Sequence, residues 1–536
     1  MIRNPILPGF NPDPSICRVG SDYYIATSTF EWYPGVQIHH SRDLVNWTLL
    51  RRPLERKAQL DMRGEPDSCG IWAPCLSYAD GQFWLVYTDV KRYDGNFKDA
   101  HNYITTSPTI EGDWSDRIYV NSSGFDPSLF HDDDGRKWFV NMLWNHRSEG
   151  YGGAPKTPSF DGILLQEWDA QSRSLIGPVK NIFAGSPLGL VEGPHLFKRN
   201  GWYYLTTAEG GTGYDHAVTM ARSRSIDGPY EMHPNLYLIT SKDHPQAALQ
   251  RAGHGQYVET PDGQFYHTHL CGRPLEPHRR CTLGRETSLQ KCVWKDDDWL
   301  YLENGTFVPD VEVPGLNGAA PIEKPRRRDY NFDGGKLPMD FQWLRTPQPE
   351  QLFSLSQRPG HLRLFARESI GSWFEQSLVA RRQEHHRFRA ETVIEFLPDT
   401  YQQVAGLTHY YNRYKFHALA VTLHEELGRC LTILSCAGNY PDGRLVFPID
   451  GGVAIPDGRI QLSMEVTNND LQFFWQADGM GAWHAIGPVL DAGVISDEGG
   501  RGEHGSFTGA FVGMFAFDTS GRAQIADFDW FNYDEL

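Results

Sequence analysis

Residues 21–272 contain five segments with the same pattern, in which a polar turn precedes a run of aromatic and β-branched residues. The segments begin at Ser21, Asp80, Asp134, Asn200 and Asp262, and they read SDYYIATS, DGQFWLVYT, DGRKWFVNML, NGWYYLTTA and DGQFYHTHL. Asp-Gly and Asn-Gly favour tight hairpin turns, and aromatic and β-branched residues favour strands. The first aromatic residues, at positions 23, 83, 138, 202 and 265, recur at intervals of 55 to 64 residues. This repeat predicts an all-β fold in which five four-stranded blades form a β-propeller.

The repeat stops after Leu300, and a different pattern begins further along the chain. Residues 307–324 are rich in Pro and Gly without periodicity, which predicts a linker. Beyond them come short alternating segments such as HLRLFA, ETVIEFL, FHALAVTL, IQLSMEV and FVGMFAF. Many short strands with turn signals between them predict a β-sandwich. We therefore expect a propeller domain over residues 1–306, a linker over 307–324 and a β-sandwich domain over 325–536.

A second recurrence lies ten to twelve positions upstream of each first aromatic residue. These tripeptides are Asp13-Pro14-Ser15, Ala73-Pro74-Cys75, Asp126-Pro127-Ser128, Glu192-Gly193-Pro194 and His254-Gly255-Gln256. In a propeller, equivalent positions on the innermost strands converge on the central axis. We therefore expect three carboxylates, one histidine and the Trp72-Ala73 pair to face one another across a single pocket.

Three carboxylates in one pocket favour acid–base chemistry. Neighbouring carboxylates raise one another's pKa, so with Asp13 and Asp126 ionised we expect Glu192 to keep its proton near neutral pH. Glycoside hydrolysis needs one protonated and one ionised carboxyl group. The protonated acid protonates the leaving oxygen, while the carboxylate activates water or attacks the sugar. Each residue also has a purely structural interpretation: a turn for Asp126, a loop acid for Glu192, and a turn or core histidine for His254.

Two further segments resemble ligand-binding loops but lack required residues. Residues 132–135 (DDDG) have no downstream Glu of an EF-hand and precede a strand, which favours a solvated hairpin. Residues 210–213 (GGTG) lack the Lys-Ser/Thr of a phosphate-binding loop. We interpret them as a tight connection.

Composition excludes several classes of partner. The net charge of -17 argues against nucleic acids and anionic membrane surfaces. No apolar run approaches the length of a membrane span, and residues 1–10 have no signal-peptide core, so we expect a cytoplasmic protein. The eight cysteines show no metal-ligand spacing, and most of them are predicted to be free, buried thiols.

Four motifs occur in a specific order: NPDPS at residues 11–15, GFDPS at 124–128, EGPH at 192–195 and GRET at 284–287. With these motifs the whole chain closely resembles the β-xylosidases of glycoside hydrolase family 43. The resemblance implies a five-bladed propeller followed by a β-sandwich. It also implies an exo-acting, inverting enzyme that releases xylose from the non-reducing end of β-1,4-xylo-oligosaccharides.

The resemblance assigns roles position by position. It implies that Asp13 is the general base, Glu192 the general acid, and Asp126 the residue that tunes and positions the acid. The substrate-binding positions that follow from the same match are Arg285, Phe30, Trp72 and Phe507. His254 is added as a substrate-binding candidate from its equivalent position in the repeat. Phe507 would be inserted at the pocket edge by the second domain, so that the sandwich closes one end of the site. The structural alternative for Arg285 is a surface ion pair with Glu286.

The implied chemistry needs no cofactor, although the family often carries a bound calcium. Asp333 and Asp529 are candidate ligands for a structural Ca²⁺ in the sandwich, and His254 is a candidate neighbour of a metal or water on the axis. The resemblance further implies a homo-oligomer, a tetramer or a dimer.

Three other functions remain open at this stage. The first is hydrolysis of α-L-arabinofuranosides, as the main or a side activity, because arabinofuranose and xylopyranose present similar hydroxyls. A retaining hydrolase with Asp13 as nucleophile is the mechanistic alternative. A non-catalytic sugar-binding propeller is the third, although neutral-sugar binding does not require three acidic positions.

Overall fold

The computed structural model describes residues 1–150, 159–438, 442–477, 480–500 and 506–536. Within them the regular elements are β-strands and three short 3₁₀ helices, Leu316–Gly318, Pro349–Gln351 and Ala492–Val494. In the same described part of the chain, no helix is long and apolar enough to cross a membrane. All eight cysteines are buried and none is in a disulfide, which confirms that prediction.

Five antiparallel sheets follow one another along the first part of the chain. Blade one comprises Ser15–Val19, Asp22–Thr27, Gln37–Ser41 and Thr48–Arg51. Blade two comprises Gly70–Ala79, Gln82–Arg92, Asp99–Ser107 and Ile118–Asn121. Blade three comprises Ser128–His131, Lys137–Trp144, Phe160–Asp169 and Ser174–Phe183. Blade four comprises Glu192–Arg199, Trp202–Glu209, Ala217–Ser223 and Glu231–Thr240. Blade five comprises Gln250–Gly253, Phe265–Gly272, Glu286–Trp294 and Leu300–Leu302, and Tyr257–Glu259 pairs with its second strand.

The N-terminal segment joins the last blade to the first. Leu7 bridges Thr287 on the third strand of blade five, and the Asn4 side-chain amide donates to the Leu289 carbonyl at 2.9 Å. Strand Ile2–Arg3 pairs with Glu312–Val313, which lies within the predicted linker. These contacts stabilise the ring of blades and hold the stretch that leads to Asp13.

Two large antiparallel sheets form the second domain. Sheet A runs in the order Phe353–Ser354, Leu362–Phe365, Ile525–Glu535, Arg387–Glu395, Ile460–Thr467, Asp470–Ala477 and Met480–Asp491, with Arg327–Tyr330 paired to Ile525–Glu535. Sheet B runs in the order Val453–Ala454, Gly428–Ala437, Lys415–His424, Gln403–Asn412, Phe511–Asp518, Ser377–Arg382, Phe341–Leu344 and Trp32–Tyr33. Their inward faces form one apolar core that includes Leu407, Leu462, Met514 and Phe528. The prediction of a five-bladed propeller followed by a β-sandwich is confirmed.

The edge strand of sheet B, Trp32–Tyr33, belongs to the propeller part of the chain. Trp32 pairs with Leu344 in the ladder, and its ring stacks on Phe511 with centroids 3.7 Å apart. Backbone pairing and aromatic packing therefore join the two domains directly, and they do so close to Phe30.

Candidate active site

A cavity of about 210 Å³ lies where the innermost strands of the blades begin, and both domains line it. Every predicted catalytic or substrate-binding side chain is on its wall: Asp13, Phe30, Trp72, Asp126, Glu192, His254, Arg285 and Phe507. The polypeptide thus brings together residues that are separated by hundreds of positions in the sequence.

One backbone feature recurs on or directly beside the innermost strand of every blade. A residue with positive φ occurs there in all five blades: Asp13 at 56°, Ala73 at 37°, Asp126 at 54°, Gly193 at 56° and His254 at 44°. L-residues seldom adopt this conformation, which costs free energy and concentrates at functional sites. The structurally equivalent residue in blade four is Gly193, so Glu192 precedes the matched position by one. Glu192 therefore corresponds to Trp72 and not to Asp13.

Asp13 is held by three side chains inside the pocket wall. Its Oδ1 accepts a hydrogen bond from Arg285 Nη1 at 2.6 Å, and its Oδ2 accepts one from Ser28 Oγ at 2.6 Å. His254 Nδ1 lies 3.8 Å from Oδ1. Burial alone would raise the pKa of Asp13, but the charge of Arg285 and the bond from Ser28 hold it below its ordinary value. Asp13 is therefore an ionised carboxylate that is 5% exposed.

Glu192 and Asp126 have the opposite electrostatic environment. Burial, and then the charge of Asp13, raises the pKa of Glu192 to about 8. Burial, followed by the charges of Glu192 and Asp13, raises the pKa of Asp126 well above its usual range. Asp126 Oδ2 accepts a hydrogen bond from the Gly193 amide at 3.1 Å, which fixes the backbone beside Glu192. Glu192 therefore keeps its proton near neutral pH, and the pKa of Asp126 is shifted in the same direction, whereas the sequence led us to expect an ionised Asp126.

Phe507 brings the second domain into the pocket. Its ring lies 5.8 Å from the Trp72 ring, measured between centroids, and its carbonyl accepts a hydrogen bond from Arg285 Nη2 at 3.0 Å. The Phe507 amide in turn donates to Ser68 Oγ at 3.2 Å. The arginine that binds Asp13 is therefore positioned by the sandwich, and the surface ion pair considered for Arg285 is excluded by its burial.

The histidines of the pocket are neutral imidazoles near neutral pH. Burial lowers the pKa of His254, Arg285 lowers it further, and Asp13 opposes the shift. Burial, together with His254 and Arg285, lowers the pKa of His216 to about 3. A neutral imidazole can donate or accept one hydrogen bond, which suits a sugar hydroxyl.

Sequence reasoning missed six residues of the pocket wall: Lys98, Phe125, Phe160, Gly211, Thr212 and His216. Phe125 could have been found, since it precedes Asp126 as Trp72 precedes Ala73. Gly211 and Thr212 belong to residues 210–213, which the sequence analysis interpreted only as a tight connection. The ammonium of Lys98 lies 4.3 Å from the Trp144 ring centroid, and no repeat pattern marks its position.

Within the described residues, neither aspartate proposed for calcium belongs to a cluster of three or more metal-ligating side chains. Asp529 accepts a hydrogen bond from Arg459 Nη2, so a guanidinium already balances its charge, and Asp333 is exposed. Calcium takes six to eight oxygen ligands. Over the described ranges, no group of three or more His, Cys, Asp and Glu has a metal-binding arrangement. A requirement for calcium stays a prediction.

Comparison with known proteins extends these observations to both domains. Residues 2–300 match the family described as glycosyl hydrolases family 43, and residues 329–534 match the β-xylosidase C-terminal concanavalin A-like domain. The chain is 60% identical to xylosidase/arabinosidase 43B of Humicola insolens, over 99% of this chain and 97% of that protein. It is 48% identical to a β-xylosidase of Bacillus subtilis strain 168, over 100% and 99% of the two chains. The crystal structure of xylan β-1,4-xylosidase from Bacillus halodurans C-125 has a TM-score of 0.94 at 50% identity, covering 100% of both chains.

Proposed function

The chain belongs to glycoside hydrolase family 43, and from this premise we propose that it is an exo-acting β-xylosidase that removes single xylose units from short β-1,4-xylo-oligosaccharides. The observation that carries the proposal is the opposite protonation of two carboxyls in one pocket. Burial and Asp13 raise the pKa of Glu192 to about 8, while Arg285 and Ser28 hold the pKa of Asp13 low against the effect of burial. The contribution of Phe507 to the wall supports a site that is closed toward the sandwich and accepts a chain end.

The proposed mechanism is a single displacement with inversion. Asp13 takes a proton from a water molecule, whose oxygen attacks the anomeric carbon of the terminal xylose. Glu192 gives its proton to the glycosidic oxygen as the bond to the leaving sugar breaks. Arg285 binds a sugar hydroxyl and balances the charge of Asp13. Asp126 positions the backbone beside Glu192 through the Gly193 amide.

A second activity, α-L-arabinofuranoside hydrolysis, is supported by the name of the Humicola insolens relative, a xylosidase/arabinosidase. We propose it as the side activity, because the two sugars present similar hydroxyls to one pocket. The alternative of a sugar-binding protein without catalysis is disfavoured. Binding a neutral sugar does not require one carboxyl with a lowered pKa, Asp13, beside another with a raised pKa, Glu192.

Hydrolysis of xylobiose and of an aryl α-L-arabinofuranoside by the wild-type protein tests this function. We expect turnover of both substrates, with the higher kcat/KM on xylobiose. A folded protein that cleaves neither would contradict the enzymatic proposal, and a higher kcat/KM on the arabinofuranoside would reverse the order of the two activities. In the same xylobiose reaction, NMR should detect α-xylose as the first product, and β-xylose first would instead indicate retention with Asp13 as nucleophile.

The pKa values predict the pH dependence of kcat/KM. Glu192 must be protonated to act as the acid, so we expect kcat/KM to fall as pH rises through about 8. Asp13, with a lowered pKa, stays ionised over that range and adds no acidic limb near neutrality. The charge of Lys98 lowers the pKa of Glu192. Lys98→Gln should therefore move the alkaline limb to higher pH.

The control for this measurement is Lys336→Gln, which alters an exposed lysine outside the pocket. Its profile should coincide with that of the wild type. An alkaline limb that does not respond to Lys98→Gln would show that another group controls it, because the charge of Lys98 lowers the pKa of Glu192.

We also propose a cytoplasmic location and a homo-oligomer, a dimer or a tetramer. The eight free, buried thiols support a reducing compartment, in which disulfides are rare. The net charge of -17 supports a neutral substrate and no nucleic-acid partner.

A further inference from the structure

A second cavity, of about 300 Å³, lies between blade one, the N-terminal segment and the sandwich. We call it the arginine pocket, and it is defined by the lining residues Gln37, His39, Arg52, Lys324, Arg328 and Arg382. It shares no lining residue with the candidate active site. The proposed hydrolysis gives it no role.

Two arginines in this pocket are buried with neutral partners. Arg52 is 5% exposed and Arg382 is 6% exposed. Arg52 donates through Nε at 3.0 Å and Nη2 at 2.5 Å to the Gln37 side-chain oxygen, and through Nη1 to the Phe341 carbonyl at 3.3 Å. Arg382 donates through Nε to the Phe10 carbonyl at 2.6 Å and through Nη1 to the Gln342 side-chain oxygen at 2.5 Å.

The hydrogen-bonding capacity of Arg382 is not exhausted. Its Nη2 is buried and has no hydrogen-bond partner, and the same is true of His39 Nδ1. Among the described residues, neither Arg52 nor Arg382 has a carboxylate within the 4.0 Å of an ion pair. A buried guanidinium without a counter-charge is costly, and a buried donor without an acceptor adds to the cost.

The lining as a whole has an excess of positive charge. Its cations are Arg52, Lys324, Arg328 and Arg382, and its acids are Asp340 and Glu384. Glu384 already pairs with Arg328 at 2.7 Å. Burial, with both nearby arginines, lowers the pKa of His39 to about 3, so this imidazole is neutral. Two positive charges are left over in a chain whose net charge is -17.

We propose that the arginine pocket binds a small divalent oxyanion of the phosphate or sulfate type. Such an ion supplies two negative charges and several acceptor oxygens, and the planar guanidinium fork matches its geometry. The free Nη2 of Arg382 provides an unused donor, and exposed Lys324 stands at the rim. A hydroxyl-bearing neutral ligand would leave the charge excess uncompensated.

The site is connected to the segment that carries Asp13. Gln37, which accepts from Arg52, donates through its amide to Asn11 Oδ1 at 2.7 Å. Arg382 holds the carbonyl of Phe10, the residue before Asn11. An oxyanion on these two arginines therefore stabilises the Phe10 carbonyl and the Asn11 side chain, three and two residues before Asp13.

Titration calorimetry and thermal melting with inorganic phosphate test the proposal on the full-length chain. At constant ionic strength set with chloride, we expect one phosphate per chain and a melting temperature that rises with phosphate concentration. Sulfate should act in the same way, and chloride should not. Saturating xylose, added to fill the sugar pocket, should leave phosphate binding unchanged.

Variants separate this site from general salt effects. Arg382→Gln should weaken phosphate binding by at least about 10-fold, since it removes a charged donor. Lys324→Gln, at an exposed position that tolerates change, should weaken it about 3-fold. Lys336→Gln, an exposed lysine outside the pocket, is the matched control and should bind as the wild type does.

A crystal grown with selenate locates the anion directly through anomalous scattering. We expect the selenium peak beside Arg382 Nη2, placed so that a selenate oxygen is within hydrogen-bond distance of that nitrogen. No phosphate binding by the wild type, competition by xylose, equal weakening by Lys336→Gln, or a selenate peak only at another place would each overturn the proposal.

Discussion

Asp13→Asn is expected to lower kcat for xylobiose by about 10²–10⁴-fold, the usual contribution of a general base. Asparagine keeps the size of the side chain and can still accept a hydrogen bond at its oxygen, so Ser28 and Arg285 retain much of their arrangement. It cannot take a proton from water. The KM should change far less than kcat, because substrate contacts with Arg285 and the aromatic wall persist.

The control for this loss is Asp116→Asn. Asp116 is an exposed aspartate whose partner, Arg56, is also at the surface, so activity should stay at the wild-type level. Both variants should melt close to the wild type. Xylobiose turnover by folded Asp13→Asn within a few-fold of the wild type would show that Asp13 is not the base.

Deletion of residues 325–536 is expected to abolish activity. The propeller would lose the Phe507 carbonyl that holds Arg285 and the sheet that pairs with Trp32 and covers its ring. It would also lose Arg345, whose Nη2 pairs with Asp67 Oδ1 at 2.7 Å. Both side chains of this pair are only 1% exposed. Breaking a buried ion pair in this way costs about 3–5 kcal/mol.

Activity could be lost because the propeller is destabilised or because the pocket wall is incomplete. Point variants of the full chain separate these two causes. Arg345→Met removes the cation that bonds Asp67 at 2.7 Å and leaves Arg413 Nε at 3.6 Å as its remaining partner. This variant should lower the free energy of unfolding by about 3 kcal/mol, measured by urea denaturation. Phe507→Ala should lower kcat/KM by about 10-fold at nearly unchanged stability, since it removes an apolar contact from the pocket wall. An isolated propeller with full activity, or Phe507→Ala with wild-type kcat/KM, would contradict a role of the sandwich in the site.

The number of blades and the main acidic residues could be predicted from the sequence. Strand and turn preferences are local, so five repeats of one pattern, from Ser21 to the segment at Asp262, indicated five sheets. Repeat equivalence then placed Asp13 and Asp126 at one axis, and the structure has both at the same positive-φ position. The motifs added Arg285 and Phe507 by resemblance. In blade four, the match between repeats was wrong by one residue, because Gly193 and not Glu192 has the positive φ of the equivalent positions.

Only the tertiary structure decided which distant segments meet. Trp32–Tyr33 completes a sheet of the other domain, and Lys98 reaches the pocket wall. Arg52 and Arg382 share a cavity, and among the described residues neither has a carboxylate within ion-pair distance. The hydrogen bond from Arg285 to the Phe507 carbonyl joins residues 222 positions apart. Strands and turns follow from interactions between neighbours in the sequence, so their pattern is visible along the chain. Contacts between residues far apart in the sequence depend on how whole sheets pack against one another. The burial, ionisation and pKa of each site residue follow from that packing.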